Sequence, residues 1–152
     1  MQIWIIAVGR LKAGPEQALV RHYAGRMARP VEVREVEEKR PLPAAELRER
    51  EGALLLTALP AGATVVALDA RGSSLSSEDF AARIARWREG GVADLAFVIG
   101  GADGLSDTVR KRAQLVLSLG AMTWPHLLVR GMLLEQLYRA QQILAGHPYH
   151  RA

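Results

Sequence analysis

The sequence has no cysteine among its 152 residues. A disulfide framework, a cysteine-ligated zinc site and a thiol nucleophile are therefore excluded. It also lacks an apolar stretch long enough to cross a membrane. The apolar run at residues 2–8 is too short for a signal peptide and alternates like a buried strand. We therefore expect a cytoplasmic protein without a membrane segment.

Residue patterns for two common kinds of catalytic site are also missing. No spacing of histidine, aspartate and glutamate resembles a metal site. The serines between residues 73 and 77 have no convincing His-Asp partnership. We therefore expect neither a bound metal ion nor hydrolase chemistry.

The positive charge is concentrated at one end of the chain. The formal net charge is +4, yet residues 108–152 hold six lysines and arginines against one acid, Glu135. Three of the four histidines lie there as well. A phosphate-rich partner would be drawn to that end. An arginine-rich, solvated helix explains the charge equally well.

Apolar runs alternate with helical patterns along the whole chain. We predict strands at residues 2–8, 31–37, 64–68, 95–99 and 115–119, and helices at residues 15–28, 44–59, 77–89, 106–113 and 125–145. Strands separated by helices favour an α/β fold, with a mainly parallel sheet and helices on both faces. No linker divides the chain, so we expect a single domain over residues 1–152.

Three glycine-containing loops follow predicted strands in the second half, at residues 69–74, 100–104 and 120–125. Ligands of such sheets bind at the carboxyl ends of the strands. The second loop has the spacing G-G-x-x-G, which is not the dinucleotide-binding spacing, and alone it favours a tight turn. The backbone amides and carbonyls of the third loop can form hydrogen bonds with the edge of an adenine ring. The alternative is that this loop is an ordinary entry into a helix. Trp124 fits the hydrophobic core and the wall of a ligand-binding site equally well.

The last predicted helix is apolar almost all round, which exceeds one core-facing stripe. Such a helix is either deeply buried or half of a subunit interface, and we favour a homodimer. The tail (residues 146–152) follows with the sequence GHPYHRA. Its histidines, arginine and tyrosine suit chemistry on a nucleic acid. A frayed end is the alternative.

Together these segments resemble one family, the bacterial ribosomal large-subunit pseudouridine N3-methyltransferases of the SPOUT superfamily. The matching segments run nearly end to end: IIAVG at residue 5, LD at 68, SSE at 76, FVIGG at 97, LSLGAMTWPH at 117, EQLYRA at 135 and PYHR at 148. The last three are highly specific in combination.

The resemblance implies a C-terminal trefoil knot and an S-adenosylmethionine site built by the loops of that knot. By position, the implied cofactor-binding residues are Leu68, Gly100, Leu119, Gly120, Ala121, Met122, Thr123 and Trp124. The family commonly has serine where this chain has Gly120, which puts a hydroxyl contact there in doubt.

The resemblance also implies methylation of N3 of a pseudouridine in 23S rRNA, on assembled ribosomes. In the family, the tail of one subunit completes the site of the other. Our candidates are His150 for proton loss or for holding the base, Arg151 for a phosphate or carbonyl contact, Tyr149 for packing and, more weakly, Arg139. Methylation of another RNA nucleoside, for example in tRNA, and a non-catalytic ribosome- or RNA-binding role remain open.

Overall fold

A computed structural model describes residues 1–151 as five parallel strands joined by helices. The strands are β1 (Gln2–Val8), β2 (Glu32–Val36), β3 (Thr64–Ser74), β4 (Asp94–Ile99) and β5 (Leu115–Ser118). The helices are α1 (Pro15–Ala24), α2 (Ala44–Ala58), α3 (Ser77–Glu89), α4 (Asp107–Arg112) and α5 (His126–Leu144). The strand order is β2-β1-β4-β3-β5, and every pairing is parallel. The predicted α/β class is confirmed.

The position of each strand in the sheet matches its composition. β4 lies in the middle of the sheet, and its residues from Leu95 to Ile99 are all buried. A continuous apolar run suits this position because both faces of the strand are covered. β2 lies at an edge, and four of its five residues are exposed. Charged side chains alternate along it, which suits an edge strand.

The helices cover both faces of the sheet, as predicted. On one face α5 packs against α1 and α3, over a core that contains Phe80, Phe97, Leu133 and Leu134. On the other face α2 packs against α4, over the second core cluster. Within residues 1–151 no helix is long and apolar enough to cross a membrane.

Two element boundaries differ from the prediction by more than two residues. The first helix ends at Ala24 instead of residue 28, because Gly25 caps it and the chain then turns through hydrogen bonds from Arg26 and Met27 to carbonyls three residues earlier. The third strand continues past Leu68 to Ser74. Its ladder with β5 is interrupted between Leu68 and Ser73, so the intervening residues bulge away from the sheet. The other predicted boundaries agree within two residues.

The connection between β5 and α5 leaves the same edge of the sheet as the connection between β3 and α3. The two connections would cross in the knotted topology. β5 is the edge strand beside β3, whereas α5 lies against both α1 and α3 nearer the middle of the sheet. Both connections leave the carboxyl ends of their strands. The trefoil knot implied by the family resemblance would form at this crossing, and it stays a prediction.

Candidate active site

The carboxyl ends of β3, β4 and β5 meet at one edge of the sheet, and the loops that follow them enclose a cleft. This loop cleft has a volume of about 250 Å³. It lies outside the ends of parallel strands, where open α/β sheets bind their ligands. Its walls are formed by Leu68, Asp69, Ala70, Arg71, Ile99, Gly100, Gly101, Ala102, Gly104, Leu105, Leu117, Leu119, Gly120, Met122, Thr123, Trp124, His126 and Val129.

The structure gathers most of the predicted cofactor-binding residues in the loop cleft. Seven of the eight line it, namely Leu68, Gly100, Leu119, Gly120, Met122, Thr123 and Trp124. Ala121 is exposed and lies outside the lining. Trp124 is 41% exposed and is therefore at the cleft wall and not in the core. These positions agree with a cofactor site, but the roles of the residues remain predictions.

The loop between β5 and α5 is shaped by its own backbone. Gly120 has φ of +113°, a conformation that side chains other than glycine rarely adopt. The Ser118 hydroxyl accepts a hydrogen bond from the Gly120 amide and donates one to the Gly120 carbonyl, both at 3.0 Å. The Trp124 indole donates to the Leu119 carbonyl at 3.3 Å. Ser118 was not among the predicted site residues, yet it fixes the start of this loop.

Ion pairs and hydrogen bonds join the bulge of β3 to the loop after β4. The Asp69 carboxylate accepts hydrogen bonds from Arg71 and from Arg110, whose guanidinium also donates to the Leu105 carbonyl at 2.7 Å. Burial raises the pKa of Asp69, but the hydrogen bonds from Arg71 and the nearby guanidinium groups outweigh it and hold the pKa below its ordinary value. Two walls of the loop cleft are thereby held together.

Glycine is required at the start of the loop after β4. A Cβ on Gly100 would lie 2.8 Å from the Gly104 carbonyl oxygen, closer than any real contact of that kind. The Gly104 amide donates to the Gly101 carbonyl at 3.0 Å, which closes the turn. A Cβ on Gly101 would meet the Glu51 carboxylate oxygens at 3.0 and 3.1 Å. Glu51 of α2 therefore lies directly against this loop, which the sequence did not indicate.

His126 lines the loop cleft at the start of α5. Burial, and then the neighbouring Arg130, lower the pKa of His126 below its ordinary value. Its imidazole is thus uncharged near neutral pH and can accept or donate one hydrogen bond. Arg130, one turn further along α5, is 2% exposed and donates to the carbonyls of Val8 and Gly9 at the end of β1.

The tail residues form a separate cluster with α5 and α3. The Tyr149 hydroxyl donates to Glu135 at 3.1 Å, and Glu135 forms an ion pair with Arg139 at 2.5 Å. The Arg139 guanidinium lies 4.9 Å from the centre of the Tyr149 ring and contacts His150 Nδ1 at 3.0 Å. His150 Nε2 lies 2.6 Å from the Glu78 carboxylate. Three of the four predicted catalytic residues therefore meet, while Arg151 is exposed.

The partners of His150 determine which of its nitrogens carries the proton. A guanidinium has only donors, so Arg139 donates and Nδ1 must hold the lone pair. The proton is then on Nε2, which donates to Glu78. This hydrogen bond lowers the pKa of Glu78. Both ring nitrogens of His150 are therefore engaged in hydrogen bonds in this arrangement.

The tail cluster and the loop cleft are different places on one chain. Within the part of the chain that the structure describes, no tail residue lines the loop cleft. Burial, followed by hydrogen bonds with Tyr23 and Glu135, raises the pKa of Tyr149 to about 12. The phenol therefore stays protonated at neutral pH and serves as a donor. The resemblance implied a site completed by the tail of the other subunit, and within one described chain the tail cluster and the loop cleft are apart.

A larger apolar hollow of about 590 Å³ lies beside the loop cleft and shares Leu117, Leu119 and Gly120 with it. Its other walls come from α1, from residues 74–77, from Phe80 and from the middle of α5. The start of α5, from Leu127 to Val129, and Met132 are only partly buried. The expectation that α5 is deeply buried is met in part, since Leu133, Leu134 and Leu137 are in the core. The subunit interface on α5 stays a prediction.

Comparisons with known proteins match the whole described chain. A family model described as "Predicted SPOUT methyltransferase" matches residues 1–150. A protein of Rhodospirillum centenum named ribosomal RNA large subunit methyltransferase H is 57% identical over 152 residues, covering 100% of both chains. Its namesake in Paramagnetospirillum magneticum is 58% identical over 151 residues, covering 99% of each.

Among solved structures, the SpoU methyltransferase AviRb of Streptomyces viridochromogenes is similar, with a TM-score of 0.51 and 14% sequence identity. The match covers 96% of this chain and 61% of the AviRb chain. At this identity the likeness concerns the fold.

Proposed function

Because the chain belongs to the SPOUT methyltransferase family, we propose that it transfers a methyl group from S-adenosylmethionine to the RNA of the large ribosomal subunit. The observation that carries the proposal is the loop cleft, where seven residues implied by the family resemblance come together from three loops. The end-to-end likeness to proteins named ribosomal RNA large subunit methyltransferase H supports the substrate class. The cytoplasm, where ribosomes work, is the proposed location.

The loop cleft suits S-adenosylmethionine in both shape and chemistry. Gly120 has open space where a side chain would begin, so a flat base can approach the backbone of this loop closely. The backbone between Leu119 and Trp124 offers amides and carbonyls for an adenine edge, and Met122, 74% exposed, is free to pack on the ring. When bound, this cofactor supplies a methyl group on a positively charged sulfur.

We further propose that the acceptor is N3 of a pseudouridine. That nitrogen carries a proton, which must leave before or during the attack. The loops orient the two reactants, and orientation can lower the barrier by several kcal/mol. Positive groups such as Arg139 and Arg151 can stabilise the anion that forms on the base as the proton departs.

His150 can serve as the base in this step only after its hydrogen bonds change. Its Nδ1 accepts from Arg139 and its Nε2 donates to Glu78, so both nitrogens are engaged. In the present arrangement His150 is better suited to hold the Arg139 guanidinium in place. Binding of RNA would have to displace Arg139 and so free the Nδ1 lone pair before His150 could act as the base.

We propose that the enzyme is a homodimer in which the tail of one subunit reaches the loop cleft of the other. The separation of the tail cluster from the loop cleft within one chain supports this arrangement. The partly buried start of α5 and the apolar hollow beside the loop cleft offer a surface for a second copy. A composite site would also explain how a domain without a separate RNA-binding module recognises its target.

The test is transfer of labelled methyl from S-adenosylmethionine to purified ribosomes, ribosomal subunits or tRNA. We expect label in the large-subunit RNA, and in a methylated pseudouridine after digestion and mass spectrometry. Label in tRNA alone would favour the other RNA substrate, and absence of both transfer and cofactor binding would favour a non-catalytic RNA-binding role.

Removal of residues 149–152 separates the two halves of the proposed site. We expect methyl transfer to be lost while calorimetric binding of the cofactor persists, because the tail lies outside the loop cleft of its own chain. The matched control is His22→Ala, since His22 is an exposed histidine on α1. Wild-type turnover by the truncated protein would refute the role of the tail.

A further inference from the structure

A buried carboxyl lies behind the loop cleft. Glu51 is 8% exposed, and its carboxylate oxygens lie 3.0 and 3.1 Å from the place where a Cβ of Gly101 would be. Gly101 itself lines the loop cleft. One glycine therefore stands between the Glu51 carboxyl and whatever occupies the cleft.

The fold leaves this carboxyl without adequate partners. Within residues 1–151, Glu51 Oε1 is shielded from solvent and has no hydrogen-bond partner. Leaving such a group unpaired is costly, and buried polar groups in folded proteins are nearly always paired. The nearby cation on the same helix, Arg48, donates instead to the Asp103 carbonyl at 3.5 Å.

The charges around the Glu51 carboxyl do not neutralise it. Asp103, in the loop after β4, adds a second negative charge, and burial followed by this repulsion raises the pKa of Glu51. Arg71 and Arg110, which border a surface cavity together with Arg48 and Glu49 of α2, are engaged by Asp69. Arg50, the next cation along α2, pairs with Glu38.

Helix α2 lies very close to the residues that follow β4. A Cβ on the next residue, Gly52, would lie 2.4 Å from the Ser106 hydroxyl and 3.3 Å from Val109. The absence of a side chain at Gly52 is what brings α2 this near. The backbone that carries Glu51 is therefore close to the loop after β4.

We propose that Glu51 is the counter-charge by which the loop cleft prefers a cationic ligand, the sulfonium of S-adenosylmethionine, to its neutral thioether product, S-adenosylhomocysteine. This inference rests on the proposed function. A cation on the cleft side of Gly101 stabilises the carboxylate, and loss of that cation on methyl transfer removes the stabilisation. Two unit charges about 12 Å apart, at an effective dielectric constant of about 20, change an affinity ratio by roughly tenfold.

The first test compares the affinities of the two ligands in wild type and in Glu51→Gln, by calorimetry. The variant keeps the shape of the side chain and removes its charge. We expect the affinity for S-adenosylmethionine relative to S-adenosylhomocysteine to fall roughly tenfold. In Glu49→Gln, an exposed carboxyl on the same helix, the ratio should stay at the wild-type value.

The second test uses the wild-type protein, so that it does not depend on how the variant folds. Calorimetry in two buffers of different ionisation enthalpy counts the protons released on binding. Because the pKa of Glu51 is raised in the free protein and a cation lowers it, S-adenosylmethionine should release protons near that pKa. S-adenosylhomocysteine should release fewer.

The two tests distinguish failure of the role of Glu51 from failure of the proposed function. An unchanged affinity ratio in Glu51→Gln, or equal proton release with the two ligands, would overturn the role of Glu51 while leaving the proposed function intact. If wild type binds neither ligand, the proposed function itself fails.

Discussion

Single residues in this protein decide how closely the elements around the loop cleft can approach one another. Gly52 illustrates this, because it lies in the middle of α2, where glycine weakens a helix by about 1 kcal/mol relative to alanine. Glycine at this position lets the backbone of α2 lie against Ser106. Ser106 in turn caps α4 by accepting a hydrogen bond from the Val109 amide. Close approach of α2 to the loop after β4 outweighs helix propensity at this position.

We expect Gly52→Ala to destabilise the protein by about 1–2 kcal/mol, since overpacking at the Ser106 hydroxyl exceeds the gain in helix propensity. Denaturant unfolding measures the change. The double variant with Ser106→Gly removes the clashing hydroxyl, so Gly52→Ala should cost much less in that background. An equal loss in both backgrounds would show that Ser106 is not the obstacle.

Residue by residue, the sequence could predict the walls of the loop cleft but not what lies behind them. Gly100, Gly120 and Trp124 follow strands directly, so local pattern and family resemblance place them at the strand ends. Glu51 and Glu78 are distant in sequence from the groups they contact. In the sequence Glu51 is one of several charges on a helix, and Glu78 belongs to a helix start, so neither pattern indicates its tertiary partner.

At the scale of whole elements, Arg130 joins α5 to the two strands at one end of the sheet. Its guanidinium donates to the carbonyl of Gly9 after β1 at 2.6 Å and to Glu35 of β2 at 2.5 Å. The Glu35 carboxylate also accepts from the Leu11 amide at 2.8 Å. The ion pair thus fixes the start of α5, and with it His126, relative to the sheet.

The stability of this junction should depend on pH through Glu35. Burial raises the pKa of Glu35, but hydrogen bonds from Arg130 and the Leu11 amide outweigh it and lower the pKa overall. A carboxyl whose pKa is lower in the folded state than in the unfolded state contributes its full stabilisation at pH values above the unfolded-state pKa. That stabilisation is lost as the pH falls through the folded-state pKa. Between about pH 7 and about pH 3, wild type should therefore lose more stability than Glu35→Gln.

Denaturant midpoints at the two pH values provide the measurement. Glu32→Gln, an exposed carboxyl of the same strand, should keep the acid sensitivity of wild type. If Glu35→Gln is as sensitive to acid as wild type, the ion pair contributes nothing to the pH dependence.

The elements themselves were well predicted because their patterns are local. The long buried run of β4 and the polar cap of α3 at Ser76 identify their structures from the sequence alone. The extension of β3 to Ser74 was missed, because the glycine and serines there look like a loop until β5 is available to pair with them. The order of the strands also depends on tertiary pairing that no local pattern contains.

At the scale of the whole molecule, the separation of the tail cluster from the loop cleft predicts that activity depends on which subunits are combined in a dimer. If each working site combines the cleft of one subunit with the tail of the other, two variants that are inactive alone should restore activity together. The first variant lacks residues 149–152 and keeps its cleft. The second is Ala102→Trp, which places a large side chain on an exposed cleft residue and keeps its tail.

Mixed dimers purified through two different affinity tags should regain about half of wild-type activity, since one of their two sites is complete. Sedimentation measures whether the chain is a dimer in the first place. Mixed dimers without activity, or a chain that sediments as a monomer, would contradict the composite site.

The position of β4 in the sheet has a consequence for folding during synthesis of the protein. The central strand of the sheet is the fourth to be synthesised, and until it arrives β1 and β3 have no common neighbour. Helix α5, which carries part of the cleft wall, is made last of all. Since nascent chains leave the ribosome from the N-terminus onwards, the proposed methyl-transfer site is assembled only after nearly the whole chain has emerged.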